Sequence, residues 1–295
     1  MAHSPPLPIV GRARHPAVAL ETTLLAHGLP RDRALEVFDR MCEDVHGAGA
    51  HPALVGIVRG APIVGMTRKE LIELMGLPEC PKVNTSNMGV ILHRRGSGAT
   101  TVSTTMELAT GAGVSVFATG GIGGVHRGFA SHLDVSSDLA ALARFPVAVV
   151  GAGVKSILDV EATREVLETL GVPVIGFRTD RFPAFYLRES DARVDARFDD
   201  EAELARYIRA EMARTGRGIL VANPIPEASA IAPPQMQRWL DQATAETRDA
   251  TGRDATPAIL GALHRISGGA TIEANIALVR SNTRLAARIA AAMVR

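Results

Sequence analysis

The chain has 295 residues, 46% of them hydrophobic, and its 32 lysines and arginines against 31 aspartates and glutamates leave a formal net charge of +1. That much apolar content supports a large buried core, while the near-neutral balance leaves no electrostatic footprint for nucleic acid or an anionic membrane. Two cysteines, Cys42 and Cys80, are too few for a disulfide scaffold, no apolar run reaches the ~18 residues of a membrane span, and a soluble protein of the reducing cytoplasm is expected.

The opening residues, 1–15, carry no sustained apolar run and read as a mobile arm ahead of a single catalytic domain over 16–295. From Pro16 onward, short apolar runs alternate with amphipathic stretches. PAVALETTLL, ALVGIVRGAPIVGM, KVNTS, ATTVSTTM, VSVFATGG, PVAVVGAG, VPVIGFRT and GILVANP read as strands. RDRALEVFDRMCEDV, TRKELIELMG, SDLAALARF, DVEATREVLETLG and EAELARYIRAEMARTG read as helices. The alternation predicts an α/β fold with a mixed, largely parallel central sheet covered by helices. After Pro233 nearly every stretch has helical periodicity, so the C-terminal part is expected to be helical.

Polar residues gather just after several of these runs. Glu21 closes PAVAL: a strand-end carboxylate can simply face water, or serve as general acid or base once burial raises its pKa. Lys82 opens KVNTSNMG, where a solvated edge charge competes with a ligand contact. The hydroxyl-rich Ala99 to Met106 suits a β-propensity strand, and its hydroxyls and amides equally suit an anion pocket. FATGGIGGVHRG, Phe117 to Gly128, carries five glycines and ends in His126-Arg127, which favours close approach of backbone to a ligand over a structural loop. Asp134 and Asp138 flank Ser136 and Ser137 ahead of a helix, an arrangement that N-capping alone explains and that also offers a carboxylate to a hard cation.

Next comes FPVAVVGAGVKSILDV, Phe145 to Val160. Val147 to Val150 reads as a strand buried on both faces, Gly151-Ala152-Gly153 as a tight turn, and Ser156 to Leu170 as a helix. Lys155 therefore sits at the strand-to-helix edge where α/β sheets bind ligands. As a dinucleotide motif the stretch is degraded, since Ser156 replaces the third glycine and Asp180 comes late for a ribose acid. A GxxxxGK[ST] phosphate loop fails because Val154 separates glycine from lysine. What remains is a phosphate-contacting lysine or a nucleophilic amine that forms an imine with a carbonyl.

FATGGIGGVHRG, the DVSSDL segment, GAGVKSILDV, GVPVIGF with PAFYLR, NPIP at Asn223 to Pro226 and ANIALV at Ala274 to Val279 together resemble the pseudouridine-5'-phosphate glycosidase family, which includes indigoidine-cluster proteins. The resemblance runs in the family's order from ALETTLLAHGLP onward. It implies reversible cleavage of the carbon–carbon link between ribose 5-phosphate and uracil, through an imine on the ring-opened sugar. Lys155 would be the nucleophile, Glu21 the proton donor and Asp134 the ligand of one manganese ion, or magnesium or another divalent cation, with waters completing its shell. Lys82, Val102, Ser136, Ser137 and Asp138 would bind the phosphosugar, and Thr119, His126 and Asn275 the base. The resemblance also implies a homotrimer. One departure stands out: relatives often follow this lysine with a charged stretch, whereas Val83-Asn84-Thr85-Ser86-Asn87 is uncharged. A phosphosugar lyase of aldolase type using the same lysine, or a non-catalytic nucleotide or phosphosugar-binding protein, are the alternatives.

Overall fold

The computed structural model describes residues 8–129, 133–248 and 255–294. Runs of valine, isoleucine and alanine without polar alternation favour strands buried on both faces. In chain order the strands are β1 (Val10–Gly11), β2 (Ala17–Glu21), β3 (His51–Val58), β4 (Ala61–Val64), β5 (Lys82–Val83), β6 (Gly98–Thr100), β7 (Val116–Ala118), β8 (Val125–His126), β9 (Ala148–Gly151), β10 (Leu158–Asp159), β11 (Val174–Phe177), β12 (Ala196–Phe198) and β13 (Ile219–Ala222). Among the described residues, eleven of them make one sheet ordered β1-β4-β3-β2-β7-β9-β13-β11-β12, with β6 joining β3 and β5 joining β6. From β3 through β12 along that order every pairing is parallel. Strands β4 and β6 meet β3 antiparallel, so the sheet is mixed and largely parallel, as its sequence predicts.

Helices pack against the sheet. Val102–Gly111 lies on β2 and β3, and the 24-residue helix Ala270–Met293 lies across β2, β7 and β9. The stretch after Pro233 is helical as expected, forming Pro233–Glu246, Ala255–Ile266 and Ala270–Met293. No helix among the described residues is long and apolar enough to cross a membrane.

Four local expectations are corrected. Residues 1–7 of the expected mobile arm lie outside the described residues, but Val10 and Gly11 pair with Ile63 and Val64. Arg12 then forms a 2.7 Å ion pair with Glu70, which ties this part of the arm to the helix Arg68–Met75 as well as to the sheet edge. ALVGIVRGAPIVGM is two antiparallel strands rather than one, because Arg59 and Gly60 both take positive φ, +51° and +78°, the turn that matches strand twist in a hairpin. ATTVSTTM contributes only β6 to the sheet; from Val102 it is helix, since burial against β2 and β3 outweighs the β-propensity of threonine. The helix expected from Ser156 starts at Val160, where the Asp159 side chain caps it by accepting from the Ala162 amide at 3.0 Å.

Candidate active site

Loops converge where parallel strands end, and β2, β7 and β9 are neighbours in that order. Strand β2 closes on Glu21, β7 runs into Thr119-Gly120-Gly121, and β9 runs into Ala152-Gly153-Val154-Lys155. Main-chain hydrogen bonds lace these loops together: Ala152 N–H to the Gly120 carbonyl (2.9 Å), Ile122 N–H to Gly153 (3.0 Å) and Phe185 N–H to Ala152 (2.8 Å). Gly153 permits the close approach. Its φ is +70°, and a Cβ there would come within 1.8 Å of the Pro183 carbonyl oxygen. Gly153→Ala is therefore expected to cost on the order of 2–5 kcal/mol from backbone strain and overpacking, measured by urea unfolding, and to displace Lys155. A stable, fully active variant would contradict this packing.

The loops line a cleft with an empty volume of about 530 Å³. Glu21, Lys82, Thr119, Lys155 and Asn275, all singled out in the sequence, share its wall. Glu21 is buried and accepts a hydrogen bond from the Thr119 hydroxyl at 2.5 Å. Burial pushes its pKa up to about 7, against the pull of the Lys155 charge, the Thr119 hydrogen bond and the Lys82 charge, while Asp138 adds to the rise. A carboxyl poised near neutrality beside an amine can give up a proton at physiological pH.

His27, His264, Phe185 and Tyr186 also line the cleft and were not singled out by sequence. His27 ends the helix Thr22–His27 that follows Glu21 directly, so the ALETTLLAH stretch held a usable signal. His264 had none, because only packing of the C-terminal helices brings it over the strand ends. Burial lowers the pKa of both imidazoles; at His27 the Lys82 charge adds to this and the Cys80 backbone opposes it. Phe185 holds a φ of +59°, an uncommon conformation for an aromatic residue. Its ring meets Tyr186 edge-on at 4.7 Å.

Residues 10–292 match the family described as "Indigoidine synthase A like protein". The chain belongs to that family. Among its relatives, a "Pseudouridine-5'-phosphate glycosidase" of Symbiobacterium thermophilum is 44% identical over 94% of this chain and 92% of its own. One of the same name from Hahella chejuensis is 45% identical, covering 98% of this chain and 96% of its own. An indigoidine synthase A-like protein from Thermotoga maritima superposes with a TM-score of 0.92 at 36% identity, covering 100% of this chain and 99% of its own. The prealnumycin C-glycosynthase AlnA, solved in complex with ribulose 5-phosphate, gives a TM-score of 0.87 at 37% identity over 94% of this chain and 91% of its own.

The remaining predicted residues, Val102, His126, Asp134, Ser136, Ser137 and Asp138, are not part of the cleft lining. Asp138 is a tether: one carboxylate oxygen accepts the Ser103 amide at 3.0 Å and the other the Gly123 amide at 2.8 Å. It thereby fixes the glycine loop to the first turn of the helix Val102–Gly111. Ser136 caps the helix Ser137–Arg144 by accepting the Asp138 amide, the structural role its type favours. Ser137 shares a hydrogen bond with Ser103 at 3.0 Å. The uncharged loop after Lys82 closes on itself. Asn84 Oδ1 accepts from the Ser86 and Asn87 amides, and Asn87 Nδ2 donates to the Lys82 carbonyl at 3.0 Å.

His126 lies beside Asp134, Nδ1 to Oδ2 3.6 Å, on the strand β8 that pairs with β10 just beyond Lys155. Among the described residues no three His, Cys, Asp or Glu side chains gather as a metal-holding group. Asp134 alone, 40% exposed, suits a hydrated hard cation held by one carboxylate and does not build a closed site.

The buried Asn282 of the long C-terminal helix donates to the carbonyls of Thr119 (2.8 Å) and Gly120 (3.2 Å), two residues that line the cleft, and accepts from Asn223 (2.9 Å). It holds the ends of β7 and β13 in one network and was not singled out by sequence.

Proposed function

We propose that this chain is a pseudouridine-5'-phosphate glycosidase that cleaves the C-glycosidic bond to give uracil and ribose 5-phosphate. The observation that carries the reading is a buried carboxyl, Glu21, with its pKa pushed up to about 7, in one cleft with Lys155, the two following parallel strands β2 and β9 that flank β7. The names of the relatives support it, as does a related C-glycosynthase solved with a pentulose phosphate.

A carbon leaving group has no lone pair to protonate, so the two-carboxylate route of ordinary glycosidases does not serve. An amine does. The Lys155 nitrogen forms a bond to C1' as the C1'–O4' bond breaks, and the proton shed by nitrogen goes to O4'. Glu21 then delivers its proton to the uracil carbon; the nitrogen lone pair forms C1'=N as the C1'–C5 bond breaks, and that electron pair returns to the base. Water adds to the imine, ribose 5-phosphate leaves as the aldehyde, and the released proton restores Glu21. Lys82 would neutralise the phosphate, while Asp138 holds the glycine loop in place.

Manganese or another hard divalent ion bound at Asp134 would supply positive charge for the phosphosugar. Asp134→Ala is expected to abolish binding of added manganese, read as the electron paramagnetic resonance signal of the free ion, with an unchanged melting curve for metal-free protein. Equal manganese binding by both proteins would remove Asp134 as the ligand.

The reading is tested by incubating wild type and Lys155→Ala with pseudouridine 5'-phosphate and manganese and resolving products by mass. Uracil and ribose 5-phosphate from wild type alone support it. Fragments from within the sugar chain would point to the aldolase-type alternative, and tight binding without products to a sensor.

A further inference from the structure

Among the described residues, two acceptors of cleft-lining side chains, Asn275 Oδ1 and His264 Nε2, lack donors. Asn275 Nδ2 donates to the Gly28 carbonyl at 3.1 Å, and because a carbonyl only accepts, the amide cannot be turned around. Its Oδ1 is therefore the atom left buried and without a partner among the described residues, an unfavourable state that a donating ligand would relieve.

The second is His264. Its Nδ1 lies 2.8 Å from Thr271 Oγ1, which lies 2.9 Å from Ser267 Oγ. Ser267 Oγ accepts the Thr271 amide at 3.2 Å and reaches the His264 carbonyl at 3.3 Å. One arrangement of hydrogens makes all four contacts: Nδ1–H donates to Thr271, the Thr271 hydroxyl to Ser267, and the Ser267 hydroxyl to the carbonyl. It leaves Nε2 as a bare acceptor in a residue that lines the cleft. Burial lowers the pKa of the ring, so it is neutral at pH 7.

A uracil joined to its sugar through carbon keeps two ring N–H groups, whereas one joined through nitrogen keeps a single N–H. Asn275 is already assigned to the base by the family resemblance; resting on the glycosidase reading above, we propose that His264 Nε2 accepts the second ring N–H beside Asn275 Oδ1, so that His264 makes the site select a C-linked uracil over its N-linked isomer. A site built to hydrogen-bond a group rejects analogues that lack it, because its own polar atoms are then left unpaired. His264 is thus a specificity residue brought by the C-terminal helices, with Thr271 and Ser267 setting its tautomer.

The test is calorimetric binding to Lys155→Ala, which cannot turn over, of pseudouridine 5'-phosphate and its 1-methyl and 3-methyl analogues. The unmodified compound should bind at least about tenfold more tightly than either analogue. Adding His264→Ala, which also opens space for a methyl group, should weaken binding of the unmodified compound and abolish discrimination against one analogue while keeping it against the other. Thr271→Val provides a second variant if His264→Ala fails to fold, and it should narrow the same ratio. A merely structural His264 would lower the melting temperature and leave both ratios intact, which overturns the proposal. Uracil release by wild type with no discrimination sinks the inference and keeps the glycosidase; discrimination without uracil release does the reverse.

Discussion

Replacing Lys155 by alanine is expected to lower uracil release at least about a thousandfold, the scale seen when a covalent nucleophile is removed, while affinity for pseudouridine 5'-phosphate stays within about tenfold. The split follows from geometry: Lys155 is one wall residue among several, and Lys82, Thr119 and Asn275 keep their places without it. Borohydride added during turnover should trap a sugar phosphate on the wild-type chain, located at Lys155 by peptide mass mapping. Undiminished turnover in the variant would eliminate the imine route.

Glu21→Gln carries the second large effect, in two opposite directions. Turnover should fall about 10²- to 10⁴-fold through loss of the proton donor, yet the folded protein should gain stability at alkaline pH. The Glu21 pKa rises from 4.5 to about 7 on folding, chiefly through burial. The folded state therefore keeps a proton that the unfolded chain has already lost, and stability falls as pH rises from about 4.5 through about 7. Glutamine is neutral throughout and still offers an oxygen to Thr119. At pH 8 the variant should be more stable by at most about 3 kcal/mol, and below pH 4 the two should converge. Equal stability at pH 8 would mean that Glu21 is not held protonated by its surroundings.

Much of this architecture was legible in the sequence, and the reasons are particular. PVAVVGAG announces a buried parallel strand because nothing in it is polar, and the glycine that follows is obligatory where Pro183 crowds it. Glu21 and Lys155 stand out in the sequence because each is a charged residue at or just beyond the end of such a run. Sequence misjudged segments where burial overrode local preference, as in the threonine-rich helix Val102–Gly111, and it does not reveal the structural work of side chains whose type leaves their role open. Asp138 is the clearest case: spacing offers it to a ligand or a cation, while its oxygens hold two backbone amides. His264 and Asn282 were invisible for another reason. His264 shares the cleft wall with Glu21 and Lys155, far from it in the chain, and Asn282 lies more than 160 positions from the carbonyls it serves; no local period encodes either meeting.

That separation bears on how the protein comes to exist. During synthesis the strand ends carrying Glu21, Thr119 and Lys155 leave the ribosome well before the helix Ala270–Met293 does. Until residue 282 arrives, the Thr119 and Gly120 carbonyls lack their amide partner, and β2, β7 and β9 lack the apolar cover that the helix supplies. A nascent chain is thus an incomplete sheet with an open glycine loop, the kind of exposed intermediate on which chaperones act. Catalytic competence would appear only once the helix Ala270–Met293 has emerged, so a chain stopped before it would be a client for quality control rather than a weakly active enzyme.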